Sequence, residues 1–395
     1  MPDPWLVIVG LGADGHAGLP DASREALEQA EIIFGGPRHL QLVGAGARGR
    51  EWPQPFKIDP VLAEKGRKVV VLASGDPFWH GAGGSIARHL QPGDWIAYPA
   101  PSTFSLAAAR LGWRLEDTAC LGLHAAPFER LIPVLARGVR AICLLRDGPA
   151  VMALAEWLAT RGFGPSRLTV LESLGGPEER IRHGVADSLM LADAAYPVAI
   201  AIEADGAPGL PHASGLPDGL FVSDGVMTKR AVRALTLSAL APRPGEVLWD
   251  LGAGSGTISV EWCLSAPRTT AIAVESRADR AGMVRANAGA FGVGHRVTVQ
   301  QADWPDAVKG LPAPDAVFIG GGMSLAGIET VFAAMPQGAR LVANAVTLES
   351  EAVLTASHAA RGGDLLRIEI AHAGALGRMR GWEAARPVVQ WSVVK

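Results

Sequence analysis

Short unbroken apolar runs alternate with segments of helical spacing from one end of this chain to the other. In the first half the apolar runs fall at residues 6–9, 69–72, 95–98, 141–145, 168–171 and 198–202. Such runs suit strands covered on both faces, as in sheets with helices packed on each side. Periodic apolar positions predict helices between them, at 22–30, 85–89, 104–111, 128–136 and 151–160. The pattern breaks from Asp205 to Pro217, a stretch dense in glycine and proline that reads as a linker or long surface loop. The expected organisation is two α/β domains, 1–208 and 209–395.

A helix with a basic face, Met227-Thr228-Lys229-Arg230-Ala231-Val232-Arg233, restarts the pattern. Strands are expected at 247–250, 270–275, 297–299, 316–319 and 340–344, alternating with helices. Two late runs, 366–371 and 388–393, have no helix between them and read as a hairpin at the sheet edge. No repeat relates the two halves, which predicts two different folds rather than one fold duplicated.

Composition narrows the picture only slightly. The 395 residues are 49% apolar, include 48 glycines and carry a formal charge of −3. That describes a globular protein with many turns and no basic excess for neutralising a nucleic-acid backbone, so no nucleic-acid partner is expected. The cysteines Cys120, Cys143 and Cys263 are far apart in apolar contexts and form no metal pattern. The N-terminal residues lack a basic region followed by an apolar core, and no uncharged apolar run approaches the ~20 residues that span a bilayer. No membrane partner and a cytoplasmic location are the expectations.

The chemistry concentrates in Asp250-Leu251-Gly252-Ala253-Gly254-Ser255-Gly256, which follows the apolar Val247-Leu248-Trp249 and precedes a helical segment. A strand that ends in three closely spaced glycines lets a ligand lie against backbone amides, because no Cβ atoms block the approach. The next strand ends in Glu275, placed to accept hydrogen bonds from a ribose diol. A dinucleotide fold would place its last glycine one position after Gly256. The D-x-G-x-G-x-G spacing with Glu275 instead resembles the S-adenosyl-L-methionine motif of class I methyltransferases, whose fold is Rossmann-like.

The first half carries its own glycine signals: Gly10-Leu11-Gly12 after the first strand, Ser74-Gly75-Asp76-Pro77 after the second, and Ala100-Pro101-Ser102-Thr103 before a helix. Ser102 and Thr103 are small hydroxyl residues suited to capping that helix. Together these segments resemble the tetrapyrrole methylases, a separate class that methylates porphyrinoid rings. Ala13-Asp14 stands where that family has Pro-Gly, and Ala100-Pro101 likewise precedes Ser102.

A tetrapyrrole methylase domain followed by a class I methyltransferase domain is similar to the fused, decarboxylating precorrin-6B C5,C15-methyltransferases of cobalamin biosynthesis. Ser223–Arg230, Ala302-Asp303-Trp304-Pro305 and Gly320-Gly321-Gly322 also carry that likeness. It implies a precorrin as small-molecule substrate, C5 methylation by the first domain, and C15 methylation with loss of carbon dioxide from the C12 acetate by the second. It further implies S-adenosyl-L-methionine bound by Gly75, Asp76, Pro77, Ser102 and Thr103 in the first domain. In the second, Thr228, Gly252, Ala253, Gly254, Ser255, Gly256, Glu275, Asp303 and Trp304 would bind it. Trp304 would lie against the adenine ring, with a plain core position as the alternative. Arg230, Arg233, Arg378 and Arg380 are candidates for the substrate carboxylates, because a guanidinium fork matches a carboxylate. His372 and Glu383 are candidate proton donors in decarboxylation, with no choice between them, and no catalytic residue is assigned. The likeness also suggests a homo-oligomer through the second domain. Three other readings stay open at this level: an RNA or protein methyltransferase with an inactive first domain, a nicotinamide-dependent oxidoreductase, and a non-catalytic sensor of the same cofactor.

Overall fold

A computed structural model describes residues 4–395. The chain divides into two compact units, residues 1–128 with 134–209, and residues 129–133 with 210–395.

The first unit holds two sheets. One is wholly parallel, in the order Gly49–Glu51, Ile32–Gly35, Val69–Ser74, Leu6–Leu11, Trp95–Tyr98. Alternate residues of its central strands feed separate cores, Val9 and Leu11 on one face and Leu6 and Ile8 on the other. That two-sided burial is why these strands read as continuous apolar runs. The second sheet is mixed, in the order Thr118–Gly122, Arg140–Leu144, Val198–Glu203, Arg167–Glu172, Arg180–Val185. Thr118–Gly122 runs parallel to its neighbour and the other pairs are antiparallel. Four strands here lie outside the expected runs: Ile32–Gly35, although apolar and fully buried, and Gly49–Glu51, Thr118–Gly122 and Arg180–Val185. Three of them are edge strands, where one side needs no apolar cover. The helix expected over 128–136 is only a single 3-10 turn, Phe128–Leu131.

The second unit is one seven-stranded sheet, ordered Val297–Gln300, Thr270–Val274, Val247–Leu251, Ala316–Ile319, Arg340–Ala345, Val388–Val394, Asp364–Ile368. The first five strands are parallel and the last two run antiparallel to their neighbours. Counting along the chain, the last strand inserts between the fifth and the sixth. Chain order reverses at Val247–Leu251, which has the second strand on one side and the fourth on the other, and this opens a crevice at its C-terminal end. Trp249, Trp262 and Trp391 are fully buried, and each indole N–H has a carbonyl acceptor: Pro312 at 3.0 Å, Thr270 at 3.1 Å and Gly362 at 2.9 Å.

The late antiparallel pair differs from the sequence expectation in one respect. Asp364–Ile368 and Val388–Val394 do pair. Between them the chain forms a further two-stranded hairpin, Ala371–Leu376 with Met379–Ala384. Its residues are mostly exposed, so no apolar alternation announced it.

Candidate functional site

In the second unit the glycine-rich loop leaves the strand Val247–Leu251 and turns into the helix Thr257–Ser265. Gly252, Gly254 and Gly256 all hold positive φ (69°, 58° and 75°), a region closed to most side chains. Gly256 is also tightly enclosed: a Cβ there would sit 2.7 Å from the Val284 side chain. Beneath the loop, Asp250 is wholly buried; its Oδ2 accepts from the Ser259 amide at 3.1 Å and from the Ser259 hydroxyl at 2.6 Å. Above it lies a cavity of about 1070 Å³.

Glu275 ends the second strand with 5% exposure. Its Oε2 accepts from the Gly254 amide at 2.8 Å and its Oε1 from the Arg277 amide at 3.0 Å. A carboxylate has about four lone-pair positions, so two remain for a diol in the cavity. Trp304 is 4% exposed and both packs in the core and lines the cavity; its Nε1 donates to the Gly321 carbonyl at 3.0 Å, joining the third and fourth strand-end loops. The core position is thus filled, by a side chain that also borders the cavity. Asp303 is exposed at the start of the short helix Trp304–Ala307 and lines the same space.

Thr228 and Arg230 line the cavity, as do Gly252, Ala253 and Gly254, whereas Ser255 and Gly256 lie buried behind it. The segment carrying Thr228 is pinned by Arg280, whose Nε donates to Asp224 at 2.9 Å. That guanidinium and the Val226 amide hold the Asp224 carboxyl below its ordinary range.

Three of the four candidate arginines need correction or relocation. Arg233 is fully buried and ion-paired with Glu261 and Asp218, and it does not line the cavity. The periodicity that makes it part of a basic face is the same one that turns it into the core. Arg378 sits at the turn of the exposed hairpin and Arg380 on its second strand, and neither lines the cavity. Glu383 also lies outside it, while His372 lines it. The sequence reading missed Arg277, Arg280, Arg386 and Asn344 as lining residues. Arg277 and Arg280 could have been sought from their position just after Glu275. Arg386 and Asn344 carried no such signal.

In the first unit a second cavity, of about 520 Å³, lies among the strand-end loops and is lined by Gly75, Ser102 and Thr103. Ser102 caps the helix Thr103–Leu111, its Oγ accepting from the Ser105 amide at 3.1 Å. Asp76 and Pro77 shape the turn without lining the cavity: Asp76 Oδ1 accepts from the Phe78 amide at 2.8 Å, and the Pro77 carbonyl accepts from the Gly83 amide at 2.8 Å. At Gly10 two backbones meet closely, since a Cβ there would lie 2.0 Å from the Gly75 carbonyl oxygen. Among the described residues no cluster suits a metal ion, and no helix is long and apolar enough to cross a membrane.

Burial of Asp250 predicts a pH effect. Desolvation, opposed by its bonds to Ser259 and reinforced by the Glu275 charge, raises its pKa from 3.8 to about 6. A raised folded-state pKa means stability from this group is fully present below ~4 and lost as pH rises through ~6. Wild type should therefore gain on Asp250→Asn by roughly 2 kcal/mol between pH 7 and pH 4, because each pH step over which folded and unfolded states differ by one proton is worth ~1.4 kcal/mol. Chemical denaturation of both proteins across that range measures it; a difference independent of pH would contradict it.

Family models over both units and the curated relatives make the chain a two-domain methyltransferase. Residues 5–190 match the tetrapyrrole (corrin/porphyrin) methylases, and residues 219–395 match the precorrin methyltransferase domain. Over 401 residues the chain is 48% identical to the precorrin-6Y C(5,15)-methyltransferase (decarboxylating) of Sinorhizobium sp, covering 99% of this chain and 97% of that protein. Its counterpart of the same name in Mycobacterium tuberculosis is 40% identical over 399 residues, covering 99% and 100%. The crystal structure of the C-terminal domain of the Rhodobacter capsulatus precorrin-6Y C5,15-methyltransferase is 51% identical, covering 47% of this chain and 100% of that one, with a TM-score of 0.46. This chain belongs to the precorrin-6Y C(5,15)-methyltransferase (decarboxylating) family.

Proposed function

We propose that the protein methylates a precorrin macrocycle at C5 and C15 and removes carbon dioxide from its C12 acetate side chain, in cobalamin biosynthesis. S-adenosyl-L-methionine is the methyl donor at two separate sites, one in each unit. Residues 1–208 carry the C5 reaction, and 209–395 carry the C15 reaction and the decarboxylation. Family membership supports the overall chemistry over the oxidoreductase, sensor and RNA- or protein-methylating readings. The observation that carries the cofactor assignment is Glu275, whose carboxylate holds the loop through Gly254 and still has lone pairs free toward the cavity.

When bound, the donor supplies an electrophilic methyl group, so the chain need only position a nucleophilic ring carbon and exclude water. In the second unit Gly252–Gly256 present backbone to the donor, and Asp303 and Trp304 border the adenine position. Lys229, Arg230 and Arg386 surround the cavity with positive charge for the substrate's carboxylates. The conjugated ring takes up the electron pair left by carbon dioxide, and His372 is the lining group able to return a proton.

Incubation of the full chain with the donor and the reduced precorrin should add two methyl groups and remove one carbon dioxide, read by mass. Addition of a single methyl group would overturn the two-site reading. We further propose a homo-oligomer through the second unit, supported by the exposed Leu376, Met379 and Trp382 of the hairpin. A monomeric molar mass in solution would remove that idea.

A further inference from the structure

The first unit's cavity holds a polar pair that is not among the residues assigned above to the cofactor. Ser74 is the last residue of the strand Val69–Ser74, directly before the Gly75 turn. His39 lies on the short helix Pro37–Leu42, which follows the neighbouring strand Ile32–Gly35. Parallel pairing of the two strands brings both residues to one end of the sheet, where His39 Nε2 lies 2.8 Å from Ser74 Oγ. Both line the cavity beside Gly75.

Methylation at ring carbon poses a requirement that methylation at nitrogen or oxygen need not. The ring carbon's π pair forms the new C–C bond, while the S–CH3 pair stays on sulfur. The carbon then carries both hydrogen and methyl, and the ring carries a positive charge. Restoring conjugation returns the C–H pair to the ring and releases one proton. Some group must take it.

We infer that His39 and Ser74 are that group: a proton-accepting pair that completes C-methylation in the first unit. With the ring proton on Nδ1, the Ser74 hydroxyl donates to Nε2. Ser74 Oγ takes the proton from C5 as its own passes to His39, and the imidazolium then releases it to solvent. The acid being deprotonated is a cationic, conjugated C–H, so a weak neutral base suffices. Burial, with a smaller effect from Arg38, lowers the His39 pKa to about 4, which keeps the ring neutral and ready at pH 7. Arg38, His80, His124 and Arg146 line the same cavity; the Arg38 charge opposes a lasting imidazolium and favours its prompt deprotonation.

The inference rests on the reading that the first unit methylates C5, and the test separates the two. Full-length His39→Gln and Ser74→Ala are compared with wild type for methyl addition at C5 and at C15, donor-binding stoichiometry, and rate with C5-deuterated substrate. Loss of a positioned general base should slow C5 methylation on the order of 100-fold or more. Both donor sites should still fill, C15 methylation and decarboxylation should keep their rates, and a deuterium isotope effect absent in wild type should appear. Added imidazole should partly restore His39→Ala. C5 methylation within about twofold of wild type, or loss of the first unit's donor site along with it, would overturn the pair's role. If wild type adds no methyl at C5, or His39→Gln removes the C15 methyl instead, the assignment of the first unit itself fails.

Discussion

Arg233→Ala should unfold the second unit or bring it close to unfolding, at a cost of about 3–5 kcal/mol, the usual result of breaking a buried ion pair from one side. Arg233 is fully buried. Its Nε donates to Glu261 at 2.5 Å, and its Nη1 donates to Asp218 at 3.1 Å and to the Thr228 carbonyl at 2.5 Å. Its Nη2 donates to the Leu216 carbonyl at 2.5 Å, and the guanidinium lies over the Phe221 ring, 4.9 Å from its centroid. Glu261, 2% exposed, would keep only the amides of Gly215 and Leu216. A charge left in that position costs far more than the contact it lost. Arg233 ties the segment 215–228 to the helices Arg230–Leu240 and Thr257–Ser265, and that segment supplies Val226, Met227 and Thr228 to the cavity. At ~2–4 °C per kcal/mol for a unit of this size, the transition should fall by about 10 °C. Arg233→Lys keeps the charge but not the fork and should fall between the two. Differential scanning calorimetry reads both, and a shift within ~2 °C for alanine would contradict the buried hub.

Glu275→Ala should abolish donor binding in the second unit while leaving the first unit's site intact. The side chain organises the loop through Gly254 and Arg277 and presents its free lone pairs to the cavity. Two charge-assisted hydrogen bonds to a ribose diol, at ~1.5–3 kcal/mol each, correspond to a weakening of about 100-fold or more. Titration calorimetry of the full chain should show two donor sites in wild type and one in the variant. The product should then lack the C15 methyl group. Glu275→Gln would keep the geometry with fewer acceptors and weaken binding less. Unchanged stoichiometry in Glu275→Ala would remove Glu275 from the cofactor site.

The legible parts of the molecule share a physical cause. Strands covered on both faces must be apolar at successive positions, so Leu6–Leu11, Val69–Ser74 and the four inner parallel strands of the second unit stand out in the sequence. Edge strands such as Gly49–Glu51 and Arg180–Val185, and the exposed hairpin at Ala371–Ala384, bury too little to leave that signature. Glycine spacing marked the Gly252–Gly256 loop because positive φ and close backbone approach admit little else. Charged residues were read less well. Arg233 and Arg230 lie three apart on one helix, yet one is a buried structural hub and the other lines the cavity. Their type and spacing do not say which way the helix is rolled.

By itself, then, the sequence determined two α/β halves, the glycine-rich turn at Asp250–Gly256 and the acidic residue that ends the following strand. These are local properties, set by burial period and backbone conformation within a few residues. Only the tertiary structure decided that Glu275 braces the loop while facing the cavity, that Trp304 serves core and site together, and that Arg386 reaches the cavity while Arg378 and Arg380 do not. It also decided that His39 meets Ser74 across 35 residues of chain. Those relations depend on strand order and register, which bring distant segments to one end of a sheet and which no local pattern records.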